Sequence, residues 1–255
     1  MAAVQHASSR AAARLRSAWS TPERRRDALV VLLTVVTGMT DAVGFVRLGG
    51  VFTSVMTGNM VLLGIAAARR TAPLALHTGV AFVGYVAGSI AGASIARRPE
   101  PSDGTWPARV TTALLAEIAL FAAFAGGFEA AHGKPTGVAA AALLSCNAAA
   151  LGIQSSAVLR FGVSGLSSTY LTGTLTNLLA GLVHSPRGAW RGGRNLALLA
   201  GLVVGAALGA SLCVRAAWSE PVVQLGLVLA VVAASAAWFR ERAPSQAGRA
   251  ELARR

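Results

Sequence analysis

Along this chain, long apolar runs alternate with short links containing Arg, Gly and Pro. Eight runs of roughly 17 to 24 residues fill it: 28–45, 52–68, 74–96, 110–128, 137–158, 166–183, 195–214 and 222–239. A hydrocarbon layer about 30 Å thick takes about 20 apolar residues of helix to cross. Outside a closed barrel, helix is the only backbone form that satisfies its own polar groups in lipid. The runs are continuously apolar without strict alternation, which argues against barrel strands. The pattern therefore predicts an all-α, polytopic membrane protein of six to eight segments.

Composition agrees: 54% of residues are hydrophobic and 13% charged, and the mean hydropathy is +0.58. A soluble domain carries about a quarter charged residues. The net charge of +13 raises the question of nucleic acid. Its arginines, however, sit almost wholly in tails and links and form no basic face interleaved with aromatics. No nucleic-acid partner is expected; anionic lipid headgroups are the expected partners of these charges. The organisation reads as a basic cytoplasmic arm (1–27), a membrane domain (28–239) and a basic cytoplasmic tail (240–255). The run 28–45 is long for a signal-peptide core and has no obvious cleavage site after it, so it is expected to be a retained first span. Cys146 and Cys213 both lie inside apolar runs and read as small core residues.

If all eight runs cross, Arg and Lys divide 17 to 6 between the two sides; if the second and sixth dip in and return, they divide 18 to 5. Both arrangements put the termini in the cytoplasm, and the positive-inside rule does not choose between them.

The chain reads as two related halves, 28–128 and 136–239. Asp41 and Arg47 stand six apart before Gly49; Gln154 and Arg160 stand six apart before Gly162. Thr57-Gly58-Asn59 matches Thr172-Gly173-Thr174. Gly84, Gly88 and Gly92 match Gly201, Gly205 and Gly209. Glycines four apart line one helix face and allow close backbone approach in lipid, so they predict packing seams between the halves. The second and sixth runs differ in kind. One contains Thr53, Ser54, Thr57, Gly58 and Asn59; the other contains Ser167, Ser168, Thr169, Thr172, Gly173, Thr174, Thr176 and Asn177. Thr-Gly invites local unwinding, and broken helices at matching places in two repeats point to a transporter binding site. The alternative is that these hydroxyls simply bond across packed helices.

At these residues the chain resembles the YoaK family of bacterial multi-pass membrane proteins. The likeness rests on Thr40-Asp41-Ala42-Val43-Gly44-Phe45, Leu48-Gly49-Gly50-Val51-Phe52 and Met56-Thr57-Gly58-Asn59. It continues at Gly152-Ile153-Gln154, at Arg160, and at Tyr170-Leu171-Thr172-Gly173-Thr174-Leu175-Thr176-Asn177. It covers about residues 30 to 240. Ser155-Ser156 departs from the Asn-Ala usual in the family. The resemblance implies a multi-pass inner-membrane protein and adds no activity.

Within the apolar runs, Asp41, Glu117, Asn147 and Gln154 stand where lipid penalises them. For Asp41 the readings are ion or proton coupling, substrate contact, or an ion pair with Arg160 or Arg47. Glu117 reads as structural or protonated. His77, His132 and His184 flank spans singly, so no metal site is expected. No cofactor is expected either. No catalytic motif is visible, and the chain is not expected to be an enzyme. The expected function is a secondary permease or channel-like transporter for a small solute or ion. Its site is expected at Asp41, Thr57, Gly58, Asn59, Gln154, Thr172, Gly173 and Thr176, with Arg160 as counter-charge. The competing reading is a non-transporting protein that organises lipid or a partner.

Overall fold

The computed structural model describes residues 21–97, 104–163, 166–184, 189–216 and 218–239. The basic arm up to residue 20 and the tail from 240 lie outside them. Among the described residues eight helices follow one another: α1 (Pro22–Arg47), α2 (Met56–Arg69), α3 (Ala72–Ala96), α4 (Ala108–Ala130), α5 (Gly137–Leu159), α6 (Leu171–His184), α7 (Ala189–Arg215) and α8 (Ser219–Phe239). No strand occurs among the described residues.

Six helices are long and apolar enough to cross a membrane: α1, α3, α4, α5, α7 and α8. The other two, α2 and α6, have 14 residues each. At 1.5 Å per residue each is about 21 Å long, short of a hydrocarbon layer of about 30 Å. Their apolar runs begin with non-helical backbone at 52–55 and 166–170. The break therefore falls just before Thr57-Gly58 and Thr172-Gly173, which sit in the first helical turns. The chain reverses earlier, at Gly49 and Gly50 (φ 111° and 74°) and at Gly162 (φ 61°). That backbone region is open to glycine without steric penalty.

Contacts between helices fix their directions. Gly84, Gly88 and Gly92 of α3 lie in turn against Ser145, Ala149 and Ile153 of α5, so these two helices run parallel. Gly201, Gly205 and Gly209 of α7 lie against Val31, Val35 and Met39 of α1, also parallel. Yet Gly44 of α1 approaches Leu144, while Leu33 and Thr37 of α1 meet Gln154, so α1 and α5 are antiparallel. An eight-crossing chain would make α1, α3, α5 and α7 all parallel. Here α2 and α6 each begin and end on one side, and six helices cross.

Both glycine series form seams as expected, and the seams run from one half to the other. A Cβ on Gly88 would overlap the Ala149 carbonyl, and a Cβ on Gly205 the Val35 carbonyl. Glycine also answers from the other side. Gly152 meets the backbone of Tyr85 and Ser89, and Gly38 that of Leu202 and Ala206. These close approaches make α1 and α5 the central pair: 67% and 61% of their apolar windows are buried, against 22% to 33% for the other four spans. Exposed Val83, Ile90, Leu115, Val203, Leu208 and Leu229 give the outer helices an apolar surface suited to lipid.

Candidate functional site

A cleft of about 880 Å³ opens between the start of α2, the end of α5 and the start of α6. Its polar lining includes Ser54, Thr57, Ser155, Ser167, Thr169 and Thr172. The first turn of α2 carries no side-chain cap; through Met56 and Thr57 it forms part of one wall, and the first turn of α6 forms part of another. The N-terminal ends of both non-crossing helices thus share the cleft, and such ends carry partial positive charge.

On the α2 side, the Asp41 carboxylate organises the wall. Its Oδ1 accepts from the Thr53 N–H (2.8 Å), the Thr53 hydroxyl (2.9 Å) and the Ser54 N–H (2.8 Å). Its Oδ2 accepts from the Ser54 hydroxyl at 2.6 Å. Four donors around one buried carboxylate replace the water it lost. The ion pair with Arg47 or Arg160 that the sequence left open is not what holds it. Arg47 instead donates to the Cys213 carbonyl at the end of α7. Asn59 acts as a staple, accepting from the Phe52 N–H (3.0 Å) and donating to the Phe52 carbonyl (2.6 Å). Phe52 stacks on Phe45 with centroids 5.3 Å apart. The segment 52–55 is thereby fixed to both α1 and α2.

On the α6 side, amide and hydroxyl groups do this work. Gln154 Nε2 donates to Ser168 Oγ (3.0 Å), Thr37 Oγ1 (2.8 Å) and the Leu33 carbonyl (3.3 Å). The Ser155 and Thr169 hydroxyls bond at 2.8 Å. Ser167 Oγ accepts from the N–H groups of Thr169 and Tyr170.

The seam contacts bring Val31, Val35 and Met39 into correspondence with Ser145, Ala149 and Ile153, a constant offset of 114 (145 − 31, 149 − 35, 153 − 39). By that count Asp41 holds the place in the first seam that Ser155 holds in the second, and Thr40 the place that Gln154 holds. Counting back from the two arginines had paired Asp41 with Gln154. The difference is one residue, because the α5 end reaches its arginine one position sooner. The side chains fit either count: Asp41 holds both Thr53 and Ser54, Gln154 holds Ser168, and Ser155 holds Thr169.

Of the residues expected to form the site, Thr57, Thr172 and Gly173 line the cleft. Asp41 stands one hydrogen bond behind it, through Ser54; Gln154 is set further back, holding the buried Ser168 between the lining residues Ser167 and Thr169. Asn59 and Gly58 support the α2 turn; Thr176 faces outward with its hydroxyl on the Thr172 carbonyl. Arg160 is buried in the turn after α5, away from the lining. Ser155 and Tyr85 line the cleft and were missed. Ser155 follows the amide that drew attention, and Tyr85 sits within the glycine seam of α3. Also missed was the threonine row of α1. Thr34, Thr37 and Thr40 each donate to a carbonyl four residues back, and Thr40 Oγ1 accepts from Gln224 at 2.9 Å. At the start of α1, Arg26 binds Asp27 at 2.7 Å, with Arg194 of α7 at 3.8 Å. Among the described residues no group of His, Cys, Asp and Glu is placed to hold a metal ion.

Six crossing helices with a polar cleft between two non-crossing ones define a multi-pass helical membrane protein. The chain belongs to the family described as a protein of unknown function, DUF1275, which matches residues 29–235. It is 36% identical over 159 residues to the UPF0700 transmembrane protein YoaK of Bacillus subtilis (strain 168), covering 60% of this chain and 66% of that protein. The alignment thus spans just under two thirds of the relative's length. No solved structure matches.

Proposed function

We propose that this protein is a secondary permease or channel-like transporter for a small solute or ion, binding at the cleft. The observation that carries this reading is the meeting of two non-crossing helix starts, one from each half, at one polar cleft. Helix ends aimed into the membrane interior, with irregular backbone beside them, are how transporters of known architecture hold a solute. On this reading the halves are inverted repeats. The equal register of the two glycine seams supports that, and so does the antiparallel α1–α5 pair. The protein lies in the bacterial inner membrane with both termini cytoplasmic, and its basic arm and tail lie on anionic lipid. Its work is transfer of a solute rather than catalysis.

One observation favours a second reading. The glycine seams pack backbone against backbone, as in a protein whose task is to hold helices or lipid in place. Solute uptake by vesicles separates the two. Vesicles containing the protein should take up at least one small polar or charged solute that protein-free vesicles exclude. Equal uptake across a broad panel would leave the organising role.

A further inference from the structure

The middle of α4 holds a carboxyl group that neither the helix packing nor the cleft employs. Glu117 is fully buried, and neither of its oxygens has a hydrogen-bond partner. The helices packed around α4 are α3, α5 and α8. Within their bounds these three contain no Lys or Arg; their titratable groups are His77 and Tyr85, Cys146, and Glu220. No cation on a neighbouring helix is therefore available to balance an ionised Glu117.

Its level in the fold follows from two contacts. Gly127 lies against the Leu143 side chain, and the Cys146 thiol donates to the Leu120 carbonyl. Continued along this antiparallel pair, the register brings Glu117 to residues 149–153 of α5, between Asn147 and Gln154. Those two amides are themselves unusual. Asn147 is fully buried with both amide atoms unpaired, and Gln154 Oε1 is unpaired as well. Buried polar atoms are nearly always satisfied, so several unmet ones at one level call for a ligand or a proton. A lone carboxyl enclosed in this way takes up a proton or meets water.

We propose that Glu117 is a mid-membrane proton-binding site in exchange with the cleft. A hydronium ion from the cleft water gives its proton to a Glu117 oxygen: one of its O–H bonds breaks, leaving water, as the carboxyl O–H bond forms. The neutral carboxyl can then donate to an amide oxygen of Asn147 or Gln154. The return step releases the same proton and restores the carboxylate, with no change of oxidation state. Gln154 leads toward the cleft, because its Nε2 holds Ser168 at 3.0 Å, the buried residue between Ser167 and Thr169 of the cleft wall. Movement of the segment before α6 would change what Gln154 offers to Glu117. Only the use of this proton in coupling rests on the transporter reading; the binding itself does not.

Infrared difference spectroscopy of the purified full chain tests the site, between about pH 5 and about pH 9, in light and heavy water. The expected result is a protonated-carboxyl C=O band that shifts in heavy water and fades reversibly as pH rises, while the amide bands hold steady. The band should vanish in Glu117→Gln. Should that variant misfold, Glu117→Asp should move the band instead. A band that keeps full intensity across the range without exchanging would overturn the proposal, as would one that neither substitution affects. Vesicles that move a solute while Glu117 fails to titrate would defeat this site alone. A titrating Glu117 in a protein that moves nothing would defeat the transporter reading alone.

Discussion

Ser54 binds Asp41 twice, its N–H donating to Oδ1 at 2.8 Å and its hydroxyl to Oδ2 at 2.6 Å. This pair of hydrogen bonds ties the start of α2 to the central helix α1, at the wall of the cleft. For Asp41→Asn this geometry predicts loss of stability. In the amide, the oxygen can keep the three Oδ1 bonds while the N–H₂ turns the Ser54 hydroxyl into an acceptor, but the charge that strengthened all four bonds is lost. Hydrogen bonds to a charged group contribute about 1.5–3 kcal/mol. Asp41→Asn should lower unfolding stability in detergent by that order. Ser54→Ala should lower it less, and the double variant should fall short of the sum. Strict additivity would show that the pair is not coupled.

The seams make a sharper forecast than sequence spacing did. Gly88→Ala and Gly205→Ala each force a Cβ into a neighbouring carbonyl. Each should destabilise by about 1–3 kcal/mol through overpacking, and the leucine variants should fold in lower yield still. Gly79→Ala and Gly226→Ala, where a Cβ meets nothing within 4 Å, should leave the melting temperature unchanged. Similar behaviour of all four would show that the spacing is incidental.

Much of this architecture was legible because lipid imposes it. Unbroken apolar runs marked every helix, and four-residue glycine spacing marked both seams. Runs 52–68 and 166–183 were long enough to cross, and their failure to do so was not legible. Their first residues are spent on non-helical backbone, and that depends on Asp41, twelve residues before Thr53, receiving its N–H and hydroxyl. Gln154 acts similarly on Ser168. Long-range capping of this kind leaves no periodic trace. Ser155 was invisible for a simpler reason: counting six residues back from Arg160 lands on its neighbour Gln154.

Topology follows from the antiparallel α1–α5 pair. With six crossings and a cytoplasmic N-terminus, the link between α2 and α3 faces outward; with eight it would face inward. A cysteine replacing exposed Thr71 should therefore react with an impermeant thiol reagent in intact cells. Cysteines in the arm and the tail should react only after the cells are opened. Protection of position 71, or labelling of either terminus from outside, contradicts this arrangement.

Solute uptake by reconstituted vesicles is the direct test of whether the cleft shared by the starts of α2 and α6 is the path of a solute. Wild type should be compared with Thr172→Trp, which fills the cleft from the exposed first turn of α6 and leaves Asp41, Gln154 and both glycine seams untouched. Wild-type vesicles should take up a solute that protein-free vesicles exclude. Thr172→Trp, folded to the same melting temperature, should lower that uptake at least tenfold, an effect of about 1.4 kcal/mol or more on the limiting step. Undiminished uptake by the plugged protein, or wild-type uptake no greater than that of empty vesicles, would contradict a solute path through the cleft.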